Sequence, residues 1–533
     1  MGSDFFASFI SGDPAARALL PARPLDEEAW VDSAERAGQR RVSRDLLAEL
    51  RRQAAELPPS AARERHLDAL AAPGSTVVAT GQQVGLFLGP LYTLHKAATA
   101  VARARFLSER TGRPCIPLFW LQTEDHDWKE ISRAELLLPS GRRTLELPPE
   151  APGEARVSLA HRLLPPAVDA LASALSDLLA PLPFAAEVAH LATRHYRSGV
   201  SPGAAFAGLL SELFAEEGLV VLDPRTPAVA RLARPVLRRA IEGHEAVSAA
   251  LSARARELRA GGFAEQVHTR PEASLVFFHP RGPLGPRYRL VRDGEGFRTP
   301  DGRVELAELL ARLDGDPLWF STSALLRPLL QDALLPTAAY AGGPAEVSYF
   351  AEVPPLYELF GIELPLVAPR ARLRILDGPA RRELERLGLR PEDSERPRDE
   401  LLGRLLERPA GLPGRDALRE RLLGPMEREI DALSPLLLRL DPSLERSVRK
   451  TRHHATFAVE RLLGRVERSA FGRDQVTAGR LDRLLALLQP GGEPQERVYS
   501  FPVPAARVGT RALVAALVAA AGSLSPEMRT VTP

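Results

Sequence analysis

The chain has 533 residues, too many for one compact core, and at roughly 100–200 residues per domain it predicts about three units. Lys and Arg number 70 against 68 Asp and Glu, so no overall field draws it to nucleic acid or a membrane surface, and an anionic small molecule would need a local basic pocket. A single cysteine, Cys115, excludes an internal disulfide and any CxxC metal site, which fits a reducing compartment. The N-terminus carries Asp4 and no basic segment before an apolar run, so it does not read as a secretory signal, and Phe6 stands where a myristoylation signal needs Ser or Thr. The longest apolar run, residues 512–521, is half of the ~20 residues that span a bilayer. A cytoplasmic protein with neither nucleic-acid nor membrane partners is expected.

Residues 1–70 predict an N-terminal helical cap, with Val42, Leu46, Leu47 and Leu50 on one face and Pro58-Pro59 breaking the pattern. A β-branched strand over 75–79 then meets a turn carrying Gly81, Gly85, Gly89 and Pro90, and a helix follows over 91–109, stopped by Gly112. A second strand over 116–121 runs into Thr123, Glu124, Asp125, His126 and Asp127. This is one βαβ unit. Ligands of an open parallel sheet sit outside the carboxyl ends of its strands, so Thr80, Gly81, Gln82 and Gln83 should face the same crevice as residues 124–127.

Residues 134–197 read as a first insertion, a hairpin around Pro139-Ser140-Gly141 and then helices broken by prolines. A second core unit has a helix over 203–217, a strand over 219–222 ending at Asp223-Pro224, and a helix over 227–258. Residues 261–319 predict a second, small antiparallel insertion with strands at 274–278 and 288–291. The third core unit passes from a helix bearing Arg327, Gln331 and Asp332 through a strand over 337–340 and the loop 341–344. It continues into a helix over 345–360, kinked at Pro354-Pro355, and a strand over 364–367. The core is thus expected over 71–133, 198–260 and 320–376.

From 377 to 475 the pattern is a long charged helical hairpin turning at Asp441-Pro442. Leu418, Leu422, Met426, Ile430, Leu433, Leu437 and Leu440 form a heptad-like seam on its first helix. Leu444, Val448, Thr451, Ala455, Ala458 and Leu462 do so on its second. Such a seam can carry dimerisation or pack on its own core. Residues 476–533 are expected to return to the core through a helix to Gln489, a polar loop over 490–497, a strand over 498–501 and a final helix.

The glycines of the first turn match neither GxGxxG nor the GKS/T phosphate loop, so neither dinucleotide nor P-loop chemistry follows from them. What remains is a helix N-terminus suited to phosphate or carboxylate, with His95 and Lys96 one turn further on. Glu124, Asp125, His126 and Asp127 put three carboxylates and an imidazole at one strand end, where a cation, an arginine or a substrate amine must offset their repulsion. A polar loop capping a helix at Lys129 is the plain alternative. One imidazole among carboxylates is a weak metal signal, and no metal site is assigned. Arg327 and Gln331 share a helix face, Gly342-Gly343 offers a second helix N-terminus, and Arg327 or Arg370 suits a carboxylate held bidentately.

Five blocks, TGQQVGLFLGPLYTLHK (80–96), PLFWLQTEDHDWKEI (117–131), LLRPLLQDALLPTAAYAGGPAEVSYFAEV (325–353), GIELPLVAPR (361–370) and PGGEPQERV (490–498), resemble the BshC family, the cysteine-adding ligases of bacillithiol biosynthesis. The resemblance implies an α/β fold with a Rossmann-like core of the nucleotidyltransferase and class I aminoacyl-tRNA synthetase type, two inserted connecting segments and an α-helical coiled-coil domain that joins a homodimer. It implies addition of cysteine to the free amine of glucosaminyl-malate, with a nucleotide, ATP or ADP, implicated and the cofactor otherwise unknown.

On that resemblance phosphate is expected against Gly81, Gln82, Gln83 and the helix start, with Thr80 among the binding candidates. Asp125 or Asp127 holds an ammonium, and His126 takes a proton, a task suited to an imidazole of ordinary pKa about 6.5. Arg327 and Arg370 hold the malate carboxylates. Gly89, Tyr92, Lys96, Glu124, Gln331, Asp332, Gly342, Gly343 and Glu346 complete the binding candidates. His95 joins the catalytic ones, although the family often has Tyr or another residue there. Two other classes stay open: a nucleotide-binding scaffold working through its coiled coil, and a nucleotidyltransferase acting on another small amine or acid.

Overall fold

The computed structural model describes residues 4–138, 141–410, 414–473 and 475–533. Five parallel strands form its central sheet, in the spatial order Leu366–Pro369, Thr337–Gly342, Thr76–Gln82, Cys115–Leu121 and Val220–Leu222. Runs such as Cys-Ile-Pro-Leu-Phe-Trp-Leu are buried at every position, as strands covered on both faces require. From Thr76–Gln82 the chain builds outward in one direction to Val220–Leu222 and then in the other to Leu366–Pro369. The topological switch point of this Rossmann-like sheet therefore lies between Thr76–Gln82 and Thr337–Gly342, one strand over from the crevice expected beside residues 124–127.

The helix Tyr92–Thr111 returns the chain between the first two strands and ends at Gly112, whose φ of 65° supplies the left-handed cap. The turn before it is tightly held. Phe87 and Leu88 are fully buried with φ of 47° and 68°, a conformation costly for side chains with a Cβ. The Tyr196 hydroxyl offsets that cost by donating to the Gly85 carbonyl at 2.8 Å and accepting from the Leu88 N–H at 3.0 Å.

Several elements differ from expectation, each for a local reason. The helix expected over 227–258 is two, Pro227–Glu242 and His244–Ala260, parted at Gly243. The helix expected over 345–360 is also two, Pro344–Phe350 and Pro354–Phe360, because Pro354 and Pro355 have no N–H to continue the first. Residues 498–501 form no strand; Gln495–Val498 is a helical turn, and Ser500 makes an isolated bridge to Pro90. The tail instead ends in Met528–Val531, paired in parallel with Arg372–Ile375. Both strands are four residues long, too short to show a period.

The antiparallel insertion is a five-stranded sheet ordered Phe320–Thr322, Ala273–Phe278, Tyr288–Asp293, Gly296–Thr299 and Gly302–Val304. In the first insertion Arg133–Leu138 pairs with Gly141–Glu146, and the turn residues Pro139 and Ser140 lie outside the described residues. Among the described residues no single helix is long and apolar enough to cross a membrane. Pro502–Val508 and Thr510–Ala521 pass only as a pair bent by 105°, and the second buries Leu513, Val514, Leu517, Val518 and Ala521 in the protein interior.

The chain forms two compact units, residues 1–375 with 496–533, and residues 376–495. The helix Gln475–Leu488 belongs to the second unit, where Leu481, Leu484 and Leu488 pack with Leu384, Leu401 and Leu405, so the return to the first unit begins at Glu496 rather than at 476. Within the second unit the helices Arg415–Leu440 and Glu445–Arg473 pair, burying Leu423 and Leu463. The predicted seam lies mostly on another face: Leu422, Met426, Leu433, Leu437, Leu440 and Leu462 are exposed. Only part of the seam is available to the hairpin itself.

Replacing Tyr196 by Phe should strand the Gly85 carbonyl and the Leu88 N–H in a buried turn, at a cost of about 1–3 kcal/mol for each group left unsatisfied. Thermal or denaturant unfolding of the full chain will measure it, and an unchanged midpoint would mean that the turn does not need its clamp.

Candidate active site

A cleft of about 410 Å³ opens at the switch point. Gln82 and Gln83 extend the first strand, Glu124, Asp125 and His126 the second, and Gly343 to Glu346 follow the fourth. Tyr92 and Lys96 come from the intervening helix, Phe277, Arg287 and Arg289 from the antiparallel insertion, and Thr322, Ser323, Arg327 and Tyr349 from the segment after it. Arg370 and Arg497 complete the wall.

Its floor is a network of paired charges. Lys96 Nζ donates to the Gly81 carbonyl and to Gln82 Oε1, both at 2.8 Å, and forms an ion pair with Glu346. Glu346 also accepts from the Tyr340 hydroxyl at 2.6 Å and from the Gly343 N–H at 2.8 Å. Burial pushes the Lys96 ammonium down, with Glu346 opposing. Burial likewise pushes the Glu346 carboxyl up, but Lys96 and its hydrogen bonds hold it below the ordinary range. Arg327 donates to the Tyr349 hydroxyl at 2.8 Å, the Tyr340 hydroxyl at 3.2 Å and Gln331 Oε1 at 3.2 Å.

The acidic rim is organised around Asp125. Gln83 Nε2 donates to Asp125 Oδ2 and to Glu130 Oε2, each at 2.7 Å, and the His126 N–H donates to Asp125 Oδ1 at 2.7 Å. The His126 ring stands beside it, Nδ1 3.4 Å from Asp125 Oδ1. Burial pushes the Asp125 carboxyl up, yet His126 and Gln83 together with Arg287 hold it well below the usual carboxylate range, so it is ionised at neutral pH. Arg287 stacks on Phe277, 4.0 Å to the ring centroid, and donates to the carbonyls of Glu124 and Thr322, tying the insertion to the end of the second strand. Arg289 also lies over Phe277, at 5.2 Å. Among the described residues it has no carboxylate within ion-pair distance, and burial pushes its guanidinium down.

The predicted site residues divide. Gln82, Gln83, Tyr92, Lys96, Glu124, Asp125, His126, Arg327, Gly343, Glu346 and Arg370 share the cleft. Others do not line it. Thr80 is buried and donates to the Ala341 carbonyl at 2.7 Å, and Gly81 contributes only its carbonyl, to Lys96. A Cβ on Gly81 would meet the Trp120 carbonyl oxygen at 2.7 Å, so the glycine serves the close approach of two strands. Gly89 shapes the turn with φ 64°, and Gly342 lies behind Glu346 and Tyr340.

Asp127 is exposed and caps the short helix Trp128–Ile131 through the Glu130 N–H, as the plain alternative had it. Gln331 and Asp332 are buried, hydrogen-bonded to each other at 2.9 Å, with the Tyr357 hydroxyl also on Asp332. His95 has no exposed surface and faces Glu496. At the expected anion site before the helix, the N–H groups of Gly85, Gly89 and Leu91 are engaged, donating to the carbonyls of Gln83, Leu86 and Tyr499.

Arg287, Arg289 and Arg497 were not picked out beforehand. Each is an arginine among many, and what singles them out is a sheet register and a chain return that no local spacing encodes. Among the described residues no group of three or more His, Cys, Asp or Glu side chains is arranged to hold a metal ion.

Comparison with known proteins adds a family. Residues 1–371 match the model of the N-terminal Rossmann-like domain of bacillithiol biosynthesis BshC, and residues 374–532 match that of its C-terminal coiled-coil domain. A protein of Solibacter usitatus named "Putative cysteine ligase BshC" is 37% identical over 470 residues, covering 86% of this chain and 83% of that one. Proteins of the same name from Salinibacter ruber and Geobacillus thermodenitrificans are 33% and 30% identical, over 93% of this chain and 88% and 91% of theirs.

The depressed Asp125 carboxyl has a consequence for stability. Such a group contributes stability above its unfolded pKa of about 3.9, and the contribution drains away as pH falls toward the lower folded value. The melting-temperature advantage of the wild type over Asp125→Asn should therefore be largest near neutrality and shrink below about pH 4. A flat difference across that range would mean that the charge of Asp125 does not contribute.

Proposed function

The chain belongs to the BshC family of bacillithiol biosynthesis, a family of ligases, and on that premise we propose that it joins the carboxyl group of cysteine to the free amine of glucosaminyl-malate, giving bacillithiol. One observation carries the reading: six cationic side chains, Lys96, Arg287, Arg289, Arg327, Arg370 and Arg497, line the same cleft as the Asp125–His126 pair. Two needs of the reaction, an anchor for a dicarboxylate and a proton acceptor for an amine, are met within one pocket.

Arg289, Arg327 and Arg370 are the candidate partners for the malate carboxylates: among the described residues Arg289 and Arg327 pair with no carboxylate, and Arg370 is held by Glu496. The amine is protonated in water and must lose its proton before it attacks the acyl carbon of cysteine. His126 receives that proton, and the ionised Asp125 beside it stabilises the imidazolium that results. The cysteine carboxyl must first be converted to an acyl phosphate or an acyl adenylate, and the C–N bond forms as the acyl C–O bond breaks and phosphate or AMP departs with the bonding electrons. A free carboxylate does not form an amide spontaneously at neutral pH, so activation is required. The N–H groups of Gly85, Gly89 and Leu91 in the glycine turn are already bonded, and no step is assigned to a nucleotide there.

We further propose that the exposed seam Leu422, Met426, Leu433, Leu437 and Leu440 joins two copies of the chain. Apolar side chains repeating along one helix face are the pattern of a coiled-coil partner surface. Leu433→Glu combined with Leu437→Glu should convert a dimer to a monomer in sedimentation, and an unaltered sedimentation coefficient would remove this surface from the assembly.

In the purified enzyme His126→Ala should lower kcat by roughly a hundredfold to ten-thousandfold. Arg289→Ala should instead raise the KM for glucosaminyl-malate by about tenfold with kcat little changed, the mark of a group that holds ground state and transition state alike. Mass spectrometry of low-molecular-weight thiols, with the gene intact and deleted, tests the reaction itself. Loss of bacillithiol with build-up of glucosaminyl-malate is expected; unchanged thiols would sink the assignment and favour a binding role.

A further inference from the structure

Glu496 begins the return of the chain to the first unit and is 3% exposed. Its carboxylate is divided among three donors. Oε1 accepts from Arg370 Nη2 at 2.7 Å, and Oε2 accepts from His95 Nδ1 at 2.8 Å and from the Leu373 N–H at 3.3 Å. Arg370 Nη1 donates to the Ala371 carbonyl at 3.1 Å, and the guanidinium lies over the Tyr92 ring, 5.7 Å from its centroid. Arg370 and Tyr92 line the cleft, whereas Glu496 stands behind them and does not.

The two basic partners of Glu496 are not equivalent. His95 Nδ1 faces the carboxylate and carries the proton, while Nε2 is buried with no hydrogen-bond partner. A second proton there would be an unmet donor in an apolar setting, and burial pushes this imidazole down despite Glu496, so His95 stays neutral. Among the described residues Arg370 is therefore the cation paired with Glu496. A planar guanidinium held at one edge by a carboxylate and at another by a carbonyl has a fixed direction, which a lysine's single ammonium would not have.

We propose that Glu496 is a positioning residue, which aims the Arg370 guanidinium at the anionic group of the ligand bound in the cleft. Glu496 touches no ligand itself; it acts through Arg370. A purely structural role would be a tie between the tail and the helix Tyr92–Thr111, and would alter stability without altering how the folded enzyme binds its substrate.

The kinetic arm of the test rests on the ligase reading and compares full-length wild type, Glu496→Gln, Arg370→Lys and the double variant. Each single change should raise the KM for glucosaminyl-malate by about tenfold with kcat within about twofold, and the double variant should be no worse than Arg370→Lys alone. Independent, multiplying effects, or an unchanged KM in folded Glu496→Gln, would overturn the proposal. If Glu496→Gln does not fold, Glu496→Asp, which draws the charge back by one methylene, should show the same rise in KM.

The second arm uses no substrate. In a crystal structure of Glu496→Gln, or of Glu496→Asp, Arg370 should leave its place over Tyr92, and an unmoved guanidinium would overturn the proposal. Failure of the wild type to join cysteine to glucosaminyl-malate would sink the ligase reading alone, and the position of Arg370 would then decide the role of Glu496.

Discussion

An ammonium taken out of water costs several kcal/mol unless its charge and its donors are met, and Lys96, 3% exposed, has partners for all three of its N–H bonds. They are the Gly81 carbonyl and the Gln82 side chain at the end of the first strand, and Glu346 on the helix after the fourth. Those two strands flank the switch point, so the ion pair joins the segments that follow them. Removing either member would leave the other buried and uncompensated. The same requirement explains the second layer of contacts, in which the Tyr340 hydroxyl and the Gly343 N–H complete Glu346.

Around that pair the cleft is assembled from parts distant in the chain. Arg287 reaches from the antiparallel insertion to carbonyls on two other segments, and because its guanidinium is buried, those bonds are what make its position affordable. Arg370 depends in the same way on Glu496, 126 positions further on. Each buried arginine thus fixes one wall against another. Arg289 is the exception, half-buried with an aromatic face beneath it and, among the described residues, no carboxylate within ion-pair distance. A cation left in this state is one that a ligand anion can complete.

Much of this was legible from local pattern. The strand ends at Gln82-Gln83 and at Glu124 to His126 follow from a βαβ period and a glycine stop, and the rule about carboxyl ends then brings them together. The switch point was harder to see, because it depends on which side of the first strand the fourth is added. His95 misled because a helix residue one turn past a strand end can face the ligand or the interior, and Glu496, which draws it inward, is 401 positions away. Gln331 and Asp332 misled differently: polarity marks them as candidates, but their hydrogen bonds with each other and with Tyr357 satisfy them inside the core. The short strands Arg372–Ile375 and Met528–Val531 left no periodic trace, so the route by which the tail closes the cleft could not be read.

For the amide formation proposed above, the charge pattern also bears on the order of events. A cation-rich pocket disfavours a second positive charge, so an ammonium entering it is pushed toward its neutral, nucleophilic form. On that reading the same pocket would attract the dicarboxylate that carries the amine. Seating those carboxylates would cancel part of the positive field, and the remaining proton would then be best accepted where a carboxylate already stands beside an imidazole, at Asp125 and His126. Anchor and base therefore need to lie at different places in the cleft. Asp125 on the second-strand rim is held ionised by Gln83, His126 and Arg287 and forms no ion pair with Arg289 or Arg327, so base and anchors stay separate.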